Sequence, residues 1–270
     1  MADKTTLPTL RDIRDAHAWK NDYERFLPAS RFVFRPVGFL ATWLGIRLGL
    51  TSEAVSWLSG LAAALGYFFL LGAQNCLLPL GIALLCLFNL LDCVDGSIAR
   101  VMQTQNPYGR FLDSLMAWVD MGFWAVLGIM LYRHPHLAHW PEPFGRGAIY
   151  WVALGTLTAL LCSYIAYTEQ IFDSLLREEW NKLPGTPKPD ISGHVPQKGD
   201  PLALIKLNAS RISHNLRVRE THYLLLIPAY VLRCVDVLLT FFLCYYVLYL
   251  LLIVVTYCRR GGRIRDLRRS

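Results

Sequence analysis

Five apolar runs constrain this chain more than any other feature of its sequence. Each is about twenty residues long, which is enough for a helix to cross the hydrocarbon core of a bilayer. They cover residues 53–73, 77–101, 108–132, 148–168 and 235–257. Hydrocarbon offers the backbone no hydrogen-bond partners, so a spanning segment has to satisfy its own N–H and C=O groups, as a helix does. Only 17% of the residues are charged, against roughly 25% in soluble domains. The sequence therefore predicts an all-α, polytopic membrane protein.

A shorter apolar segment, 222–233, is predicted to be a sixth transmembrane helix although it contains Pro228. Proline is tolerated in spanning helices when neighbouring groups satisfy the freed carbonyl. With six spans, only Arg133, Arg146 and Arg233 of the 27 lysines and arginines lie on one side of the membrane. Positively charged loops stay in the cytoplasm. We therefore expect both termini, and the turn that follows the second span, on the cytoplasmic side.

Three regions are predicted along the chain. Residues 1–50 form an N-terminal cytoplasmic and interfacial region, 51–258 form the six-span domain with a cytoplasmic loop at 169–221, and 259–270 form a basic cytoplasmic tail. The segment 31–50 mixes aromatic and aliphatic residues with arginines, which is typical of an amphipathic helix lying in the membrane interface. Thr51 or Ser52 is predicted to cap the first span. Within the loop we expect helix to residue 180, a break at 184–189, irregular chain at 193–201 and a second interfacial helix at 202–219.

One charged cluster interrupts the apolar pattern at the end of the second span. It reads Asp92-Cys-Val-Asp95-Gly96-Ser-Ile-Ala99-Arg100 and is followed by Gly109 and Asp113. Ionised carboxylates at membrane depth cost several kcal/mol, so they are functional candidates. Asp92, Asp95 and Ala99 lie on one helical face, and the short connection to the third span brings Asp113 towards them. A divalent cation would compensate these charges, and oxygen ligands suit Mg²⁺ or Mn²⁺.

The spacing D-x2-D-G-x2-A-R-x8-G-x3-D resembles the signature of the CDP-alcohol phosphotransferases, integral membrane enzymes that make phospholipid head groups. The resemblance implies transfer of a substituted phosphate group from a CDP-alcohol to an acceptor hydroxyl, with release of CMP. It also implies two Mg²⁺ or Mn²⁺ ions, which can clamp the attacking and leaving oxygens. The implied metal ligands are Asp92, Asp95 and Asp113. The implied nucleotide contacts are Gly96, Ala99, Arg100 and Gly109, of which Arg100 would brace a carboxylate or meet a phosphate.

The chain departs from the family pattern at Ala117, where the pattern has a fourth aspartate that the resemblance identifies as the general base. Alanine can neither bind a metal ion nor accept a proton. Asp120 points the same way from its helix, but it lies about 10 Å further along the axis and cannot simply substitute. Loss of a general base typically lowers the rate by about 10²–10⁴-fold, so we expect the chain as written to be severely impaired.

Several interpretations of Ala117 are open. The favoured one is an engineered Asp→Ala variant made to trap a substrate complex. A natural enzyme could instead use an acceptor that supplies its own base, or a weaker base elsewhere in the site. The chain could also be a non-catalytic relative that binds CDP-alcohols without turnover.

Arginines near the predicted cytoplasmic mouth are candidates for holding an acceptor phosphate. They are Arg35, Arg47, Arg211 and Arg217, and each would be equally at home against lipid head groups. We expect the donor or the acceptor to be a lipid, because the motif lies where membrane and cytoplasm meet. Serine, inositol, glycerol phosphate, choline and ethanolamine products all stay open. The resemblance further implies a homodimer formed through the spans.

Two other function classes are disfavoured by the distribution of charge. A metal-ion transporter would need acids or polar breaks along several spans, whereas here the acids cluster at one end. Nucleic-acid binding is disfavoured despite the net charge of +7, because the basic residues segregate to one side of the membrane.

Overall fold

The computed structural model describes residues 7–72, 74–140, 149–182 and 201–267, and within these ranges the chain is helical without any strand. The α-helices, in chain order, are α1 Leu10–His17, α2 Asn21–Glu24, α3 Arg35–Arg47, α4 Ser52–Leu71, α5 Leu78–Val101, α6 Pro107–Val119, α7 Phe123–Arg133, α8 Ile149–Leu175, α9 Arg177–Lys182, α10 Pro201–Arg217, α11 Arg219–Val231 and α12 Val235–Leu267. A π-helical segment, Ser30–Phe34, leads into α3, and single 3₁₀ turns lie at Ala18–Lys20, Asn75–Leu77, Asp120–Gly122 and Pro135–Leu137. The prediction of an all-α fold is confirmed.

Five helical segments of the described chain are long and apolar enough to cross a membrane. They are Ser52–Leu71, Asn75–Val101, Pro107–Arg133, Ile149–Leu175 and Val235–Asp266. Each matches one predicted span, and the chain is an integral membrane protein. The predicted sixth span corresponds to α11, which contains Pro228 and has 13 residues. That length is short of the roughly 20 residues that a transmembrane helix needs, so the sixth span and the orientation stay predictions.

Large apolar side chains remain on the surface of these helices. Phe68 is 67% exposed and Leu248 is 68% exposed. A soluble protein rarely exposes contiguous apolar surface of this kind, whereas lipid chains cover it at no cost. The outward-facing residues thus fit the membrane environment that the helix lengths indicate.

The chain divides into two compact units. One unit runs to Asp120 and takes up again through α10 to Pro228, and the other runs from Met121 through α9 and from Ala229 to the end of α12. In the first unit α4 packs along α5, with α3 also on α5 and α6 on α4. Glycines allow the α4–α5 approach, since a Cβ on Gly81 would lie 3.0 Å from the Gly66 carbonyl oxygen. In the second unit α7, α8 and α12 pack together.

The N-terminal region is built onto the first unit by a small apolar core. Ile13 of α1 packs with Ile46, Val55 and Ile98, which come from α3, α4 and α5. The predicted interfacial helix 31–50 is helical from Ser30 to Arg47, and its outer face keeps apolar residues such as Phe32 exposed. That outer face suits a membrane interface, and its location there stays a prediction. Of the two predicted caps, Thr51 and Ser52, the N-cap of α4 is Thr51, whose Oγ1 accepts a hydrogen bond of 3.2 Å from the Ala54 N–H.

The predicted cytoplasmic loop and tail contain more helix than their composition indicates. The helix predicted to residue 180 continues as α8 and α9 to Lys182, and the interfacial helix predicted at 202–219 is α10. The break at 184–189 and nearly all of the irregular segment 193–201 lie outside the described residues. The region predicted as a tail from residue 259 continues α12 to Leu267. Contacts with α8 and α9 explain this extension, because Tyr257 stacks on Phe172 with ring centroids 4.1 Å apart and Arg260 lies 5.1 Å from the Trp180 ring.

Replacing Gly155 by alanine is expected to destabilise the second unit. A Cβ at this position would lie 2.6 Å from the Trp124 carbonyl oxygen, and helix backbones yield less readily than side chains. Overpacking of this kind costs about 1–3 kcal/mol, so the thermal unfolding temperature in detergent should fall. Gly262→Ala is the matched control, because nothing lies within 4 Å of its Cβ position and alanine favours helix by up to about 1 kcal/mol. Equal shifts in the two variants would contradict the close α7–α8 packing.

Candidate functional site in the first unit

A cavity of about 770 Å³ lies in the first unit and is lined mainly by polar side chains. We call it the polar cavity. Its walls come from the N-terminal segment between residues 20 and 35, the starts of α4 and α6, the end of α5 and residues 218–220. Small-molecule sites usually occupy about 300–1,000 Å³, so the cavity is large enough for a nucleotide together with a small second substrate.

Most of the residues singled out in the sequence line this cavity together. They are Asp92, Asp95, Gly96, Ala99, Arg100, Gly109 and Asp113. The helical period places the residues of α5 on one face, and the turn at 102–106 returns the chain so that α6 begins beside them. The two parts of the motif, on separate helices, therefore face one space.

Asn106 fixes the start of α6 beside the start of α4. Its Oδ1 accepts a 2.7 Å hydrogen bond from the Gly109 N–H, which makes it the N-cap of α6. Its Nδ2 donates to Glu53 Oε1 at 2.9 Å. The Asn106 side chain thus satisfies an otherwise unpaired N–H group at the start of α6. It also holds this start, with Gly109 and Asp113, beside α4.

Asp95 is buried and held from two directions. Ser56 of α4 donates a 2.6 Å hydrogen bond to its Oδ2, and the Gly96 N–H donates to its Oδ1. Each carboxylate oxygen has two lone pairs, so both oxygens can still accept a further ligand. The hydroxyl on α4 thus orients a carboxylate of α5 towards the cavity.

Asp92 is held by Arg219, which stands at the start of α11. The Arg219 Nη2 donates to Asp92 Oδ2 at 2.5 Å, and its Nε donates to Asn89 Oδ1 at 3.1 Å. The guanidinium also lies 4.5 Å from the centre of the Phe88 ring. Among the described residues the other oxygen, Asp92 Oδ1, is buried and has no hydrogen-bond partner. A buried oxygen without a hydrogen bond costs free energy, which a hydrogen-bond donor or a cation would recover.

The donor set suits a hard divalent cation. Asp92, Asp95 and Asp113 supply carboxylate oxygens, the ligands that Mg²⁺ and Mn²⁺ prefer, and Asp92 Oδ1 lacks a partner within the described chain. Asp113 is exposed to the cavity. In the part of the chain that the structure describes, no three His, Cys, Asp or Glu side chains are gathered closely enough to form a metal site. The chemistry of the residues fits a metal ion, and the metal dependence stays a prediction.

Ala117 lies one turn beyond Asp113 on α6 and is exposed. It is not among the residues that line the polar cavity. Asp120 does not line the cavity either, and its Oδ1 accepts a hydrogen bond from the hydroxyl of Tyr223. This contact supports the expectation that Asp120 does not replace the missing carboxylate at position 117.

The cavity wall also contains the basic side chains Lys20, Arg35 and Arg100, of which the first two come from the N-terminal region. Arg35 Nη2 lies 2.6 Å from Glu24 Oε1, and His17 Nε2 lies 2.9 Å from Glu24 Oε2. Burial acts to raise the pKa of Glu24, but the hydrogen bond from His17 and the charge of Arg35 hold that pKa below its usual range. Burial, together with the neighbouring charges of Arg100 and Arg35, lowers the pKa of Lys20.

A further carboxylate, Glu220, lines the cavity beside Val218. Burial raises the pKa of Glu220 above its usual range. Glu220 is therefore a candidate for the weaker base that one interpretation of Ala117 requires.

The four arginines proposed for an acceptor phosphate are not equivalent. Arg35 lines the polar cavity, and Arg47, Arg211 and Arg217 are not among its lining residues. Arg47 is exposed and stacks 4.1 Å from the Trp43 ring, and Arg211 lies 3.7 Å from the Phe26 ring. The structure therefore favours Arg35 among the four for contact with a substrate.

Sequence reasoning missed several residues that shape the cavity. They are Ser56, Asn89, Asn106, Lys20, Glu24, Glu220 and the role of Arg219. The available signal for Arg219 and Glu220 was a charged pair placed directly before an apolar segment, which marks a helix start. That signal does not identify Asp92 as the partner, because the partner lies 127 residues away in sequence.

The family model described as CDP-alcohol phosphatidyltransferase matches residues 50–183. These residues include all three acids and the glycines of the motif. The N-terminal region and Arg219 lie outside the matched range. No curated protein matches the chain.

Replacing Arg219 by glutamine is expected to lower the stability of the first unit. Asp92 would lose its counter-charge, and a hydrogen bond to a charged group contributes about 1.5–3 kcal/mol. The measurement is thermal unfolding in detergent with EDTA, and Arg47→Gln serves as the control because that arginine is exposed. The double variant Asp92→Asn/Arg219→Gln removes both charges and should regain part of the loss. If the double variant is no more stable than the single one, the pair does not act as described.

Proposed function

Since this chain belongs, through residues 50–183, to the CDP-alcohol phosphatidyltransferase family, we propose that its polar cavity is the site of transfer from a CDP-alcohol to an acceptor hydroxyl. The family is made of transferases of phosphorus-containing groups that act in phospholipid synthesis. The observation that carries the proposal is the convergence of Asp92, Asp95 and Asp113, with Gly96 and Gly109, on one cavity. A polar seam between packed helices would explain small residues, but not three acids facing one space.

The proposed reaction is a substitution at the phosphorus that bears the alcohol group of the donor. The acceptor oxygen forms a new bond to this phosphorus, and the bond from phosphorus to the bridging oxygen breaks. CMP leaves with the bonding electron pair, and the acceptor hydroxyl loses its proton. The residues of this chain have to bind the pyrophosphate, align the acceptor oxygen opposite the leaving oxygen, and receive the proton.

Three acids and one arginine are proposed to organise the donor. Asp92, Asp95 and Asp113 would hold two Mg²⁺ or Mn²⁺ ions, with Asp92 Oδ1 available to one of them. Bound cations of this kind neutralise pyrophosphate charge and stabilise the leaving oxygen. Ser56 orients Asp95 and Arg219 orients Asp92. The donor would approach the protein backbone most closely at Gly96, Ala99 and Gly109, and Arg100 would contact one of the donor phosphates.

The proton of the acceptor hydroxyl would ordinarily be accepted by the residue at position 117, and the alanine there cannot accept it. We propose that this alanine replaces an aspartate and slows the chain by about 10²–10⁴-fold, while donor binding is retained. Glu220 is the weaker base that could support residual turnover, since it lines the cavity and its pKa is raised by burial. The cytoplasmic orientation, the lipid nature of one substrate and a homodimer belong to the same proposal.

A non-catalytic relative that binds CDP-alcohols is the second candidate, and the observation that favours it is Ala117 itself. The two candidates differ in what a restored carboxylate does. In a transferase the rest of the machinery is in place, so an aspartate at 117 completes it. In a binding protein the same change adds a charge without producing turnover.

The Ala117→Asp substitution is expected to raise CMP release by about 10²–10⁴-fold. The assay uses membranes containing either form, a panel of CDP-alcohols and acceptors, and Mn²⁺ or Mg²⁺ or EDTA. Activity should disappear with EDTA and in the matched variant Ala117→Asp/Asp113→Asn. Equal turnover by both forms would show that the base lies elsewhere. Metal-dependent binding of a CDP-alcohol without CMP release by either form would favour the non-catalytic candidate.

A further inference from the structure

Asp120 is an acid that the proposed reaction leaves unused. It lies within the third membrane-spanning segment, in the turn that follows α6, and it does not line the polar cavity. An ionised carboxylate at membrane depth is costly unless neighbouring groups compensate its charge. The groups that hold Asp120 therefore indicate what this acid does.

Tyr223 of α11 holds Asp120 through a hydrogen bond. The Tyr223 hydroxyl donates to Asp120 Oδ1, and the tyrosine side chain is fully buried. Its ring lies 6.4 Å from the ring of Phe88 on α5. Because packing fixes the ring and the hydroxyl fixes the carboxylate, the end of α6 is tied to α11 beside α5.

Arg219 connects Asp120 to the acids of the cavity. It lies one helical turn before Tyr223, on the same face of α11. Burial acts to lower the pKa of Arg219, but the charges of Asp92 and Asp120 raise that pKa above its usual range. The guanidinium is therefore attracted chiefly by two acids, of which only Asp92 lines the cavity.

The pair between Arg219 and Asp92 uses only one oxygen of the carboxylate. A guanidinium frequently binds both oxygens of a carboxylate through two parallel N–H groups. Here Nη2 donates to Asp92 Oδ2, and Nε donates to Asn89 Oδ1 instead. Asp92 Oδ1 is buried and has no hydrogen-bond partner among the residues that the structure describes. The contact with Asn89 and the attraction of Asp120 both keep the guanidinium from pairing with this second oxygen.

We propose that Asp120, held by Tyr223, is a positioning residue for the divalent-cation site, because it keeps Arg219 on one oxygen of Asp92 and leaves the other oxygen to the cation. This inference rests on the proposed function, which assigns Mg²⁺ or Mn²⁺ to the acids of the cavity. Asp120 then acts through Arg219 and not as a base. Arg219 and Tyr223 lie outside residues 50–183, so the family match does not describe this arrangement.

Binding of Mn²⁺ to the chain as it stands tests this role without turnover. The measurement is the electron paramagnetic resonance signal of free Mn²⁺, titrated against the full chain in detergent. Asp120→Asn should raise the Kd by about tenfold or more, and Asp120→Glu should restore most of the affinity. Asp15→Asn removes the same charge from an exposed position and should bind like the parent chain.

Tyr223→Phe is the second variant, and it keeps the test decisive if Asp120→Asn does not fold. It leaves the charge of Asp120 in place and removes only the hydroxyl that fixes it, so it should weaken Mn²⁺ binding, by less than Asp120→Asn does. Unchanged affinity in the folded variants would overturn the inference. If the parent chain binds no Mn²⁺, the inference is overturned whatever a transferase assay shows.

The Arg219→Gln background tests whether Asp120 acts through the arginine. Without the guanidinium there is nothing for Asp120 to position, so adding Asp120→Asn should change the Kd for Mn²⁺ by less than about threefold. An equal loss of affinity in both backgrounds would show that Asp120 acts by another route and would overturn the positioning role.

Kinetics in the Ala117→Asp background separate positioning from base catalysis. Asp120→Asn should raise the Mn²⁺ concentration for half-maximal CMP release by about tenfold or more and leave the rate at saturating Mn²⁺ within about threefold. A loss of about 10²–10⁴-fold at saturating Mn²⁺ would identify Asp120 as a base and overturn the inference. If Ala117→Asp releases no CMP but Mn²⁺ binding still depends on Asp120, the transferase function fails and the positioned cation site survives.

Discussion

The fold of the first unit depends on compensating two carboxylates at the end of an otherwise apolar helix. Asp92 and Asp95 cannot remain charged in that setting without partners. Asp95 accepts a hydrogen bond from the Ser56 hydroxyl of α4, and Asp92 accepts one from the Arg219 guanidinium of α11. These polar contacts fix the starts of α4 and α11 against the same end of α5. The requirement that the acids be satisfied thereby places the cavity, because the helices that satisfy them are the ones that enclose it.

Features that depend on neighbours in sequence were predictable, and those that depend on tertiary packing were not. The face shared by Asp92, Asp95 and Ala99 follows from the helical period, and the cap at Thr51 follows from the hydroxyl that precedes an apolar run. The lengths of the apolar runs predicted the five spans. The partner of Asp92 lies 127 residues away, and nothing local identifies Arg219 as that partner. Lys20 and Glu24 were missed for the same reason, since they meet Arg100 only after α1 has docked.

The environment of α6 bears on whether a carboxylate at position 117 would be tolerated. Met116 is buried against Gly60 of α4, which fixes the rotation of α6 about its axis. Ala117, the next residue, is exposed, so an aspartate there would displace no packed side chain. Asp120 is engaged with Tyr223 and is not drawn into the cavity. The scaffold around position 117 is therefore compatible with an acid.

The charges of the cavity come from two sources that the family match separates. The acids lie on α5 and α6 within residues 50–183, and in the proposed function they handle the donor pyrophosphate. Lys20, Glu24 and Arg35 lie before residue 50, in a region that the match does not cover. Arg100 belongs to the matched range, and its Nη1 lies 3.1 Å from the position that a Cβ on Gly96 would take, next to Asp95. The cavity is therefore built partly from the matched motif and partly from an N-terminal segment that the family match does not describe.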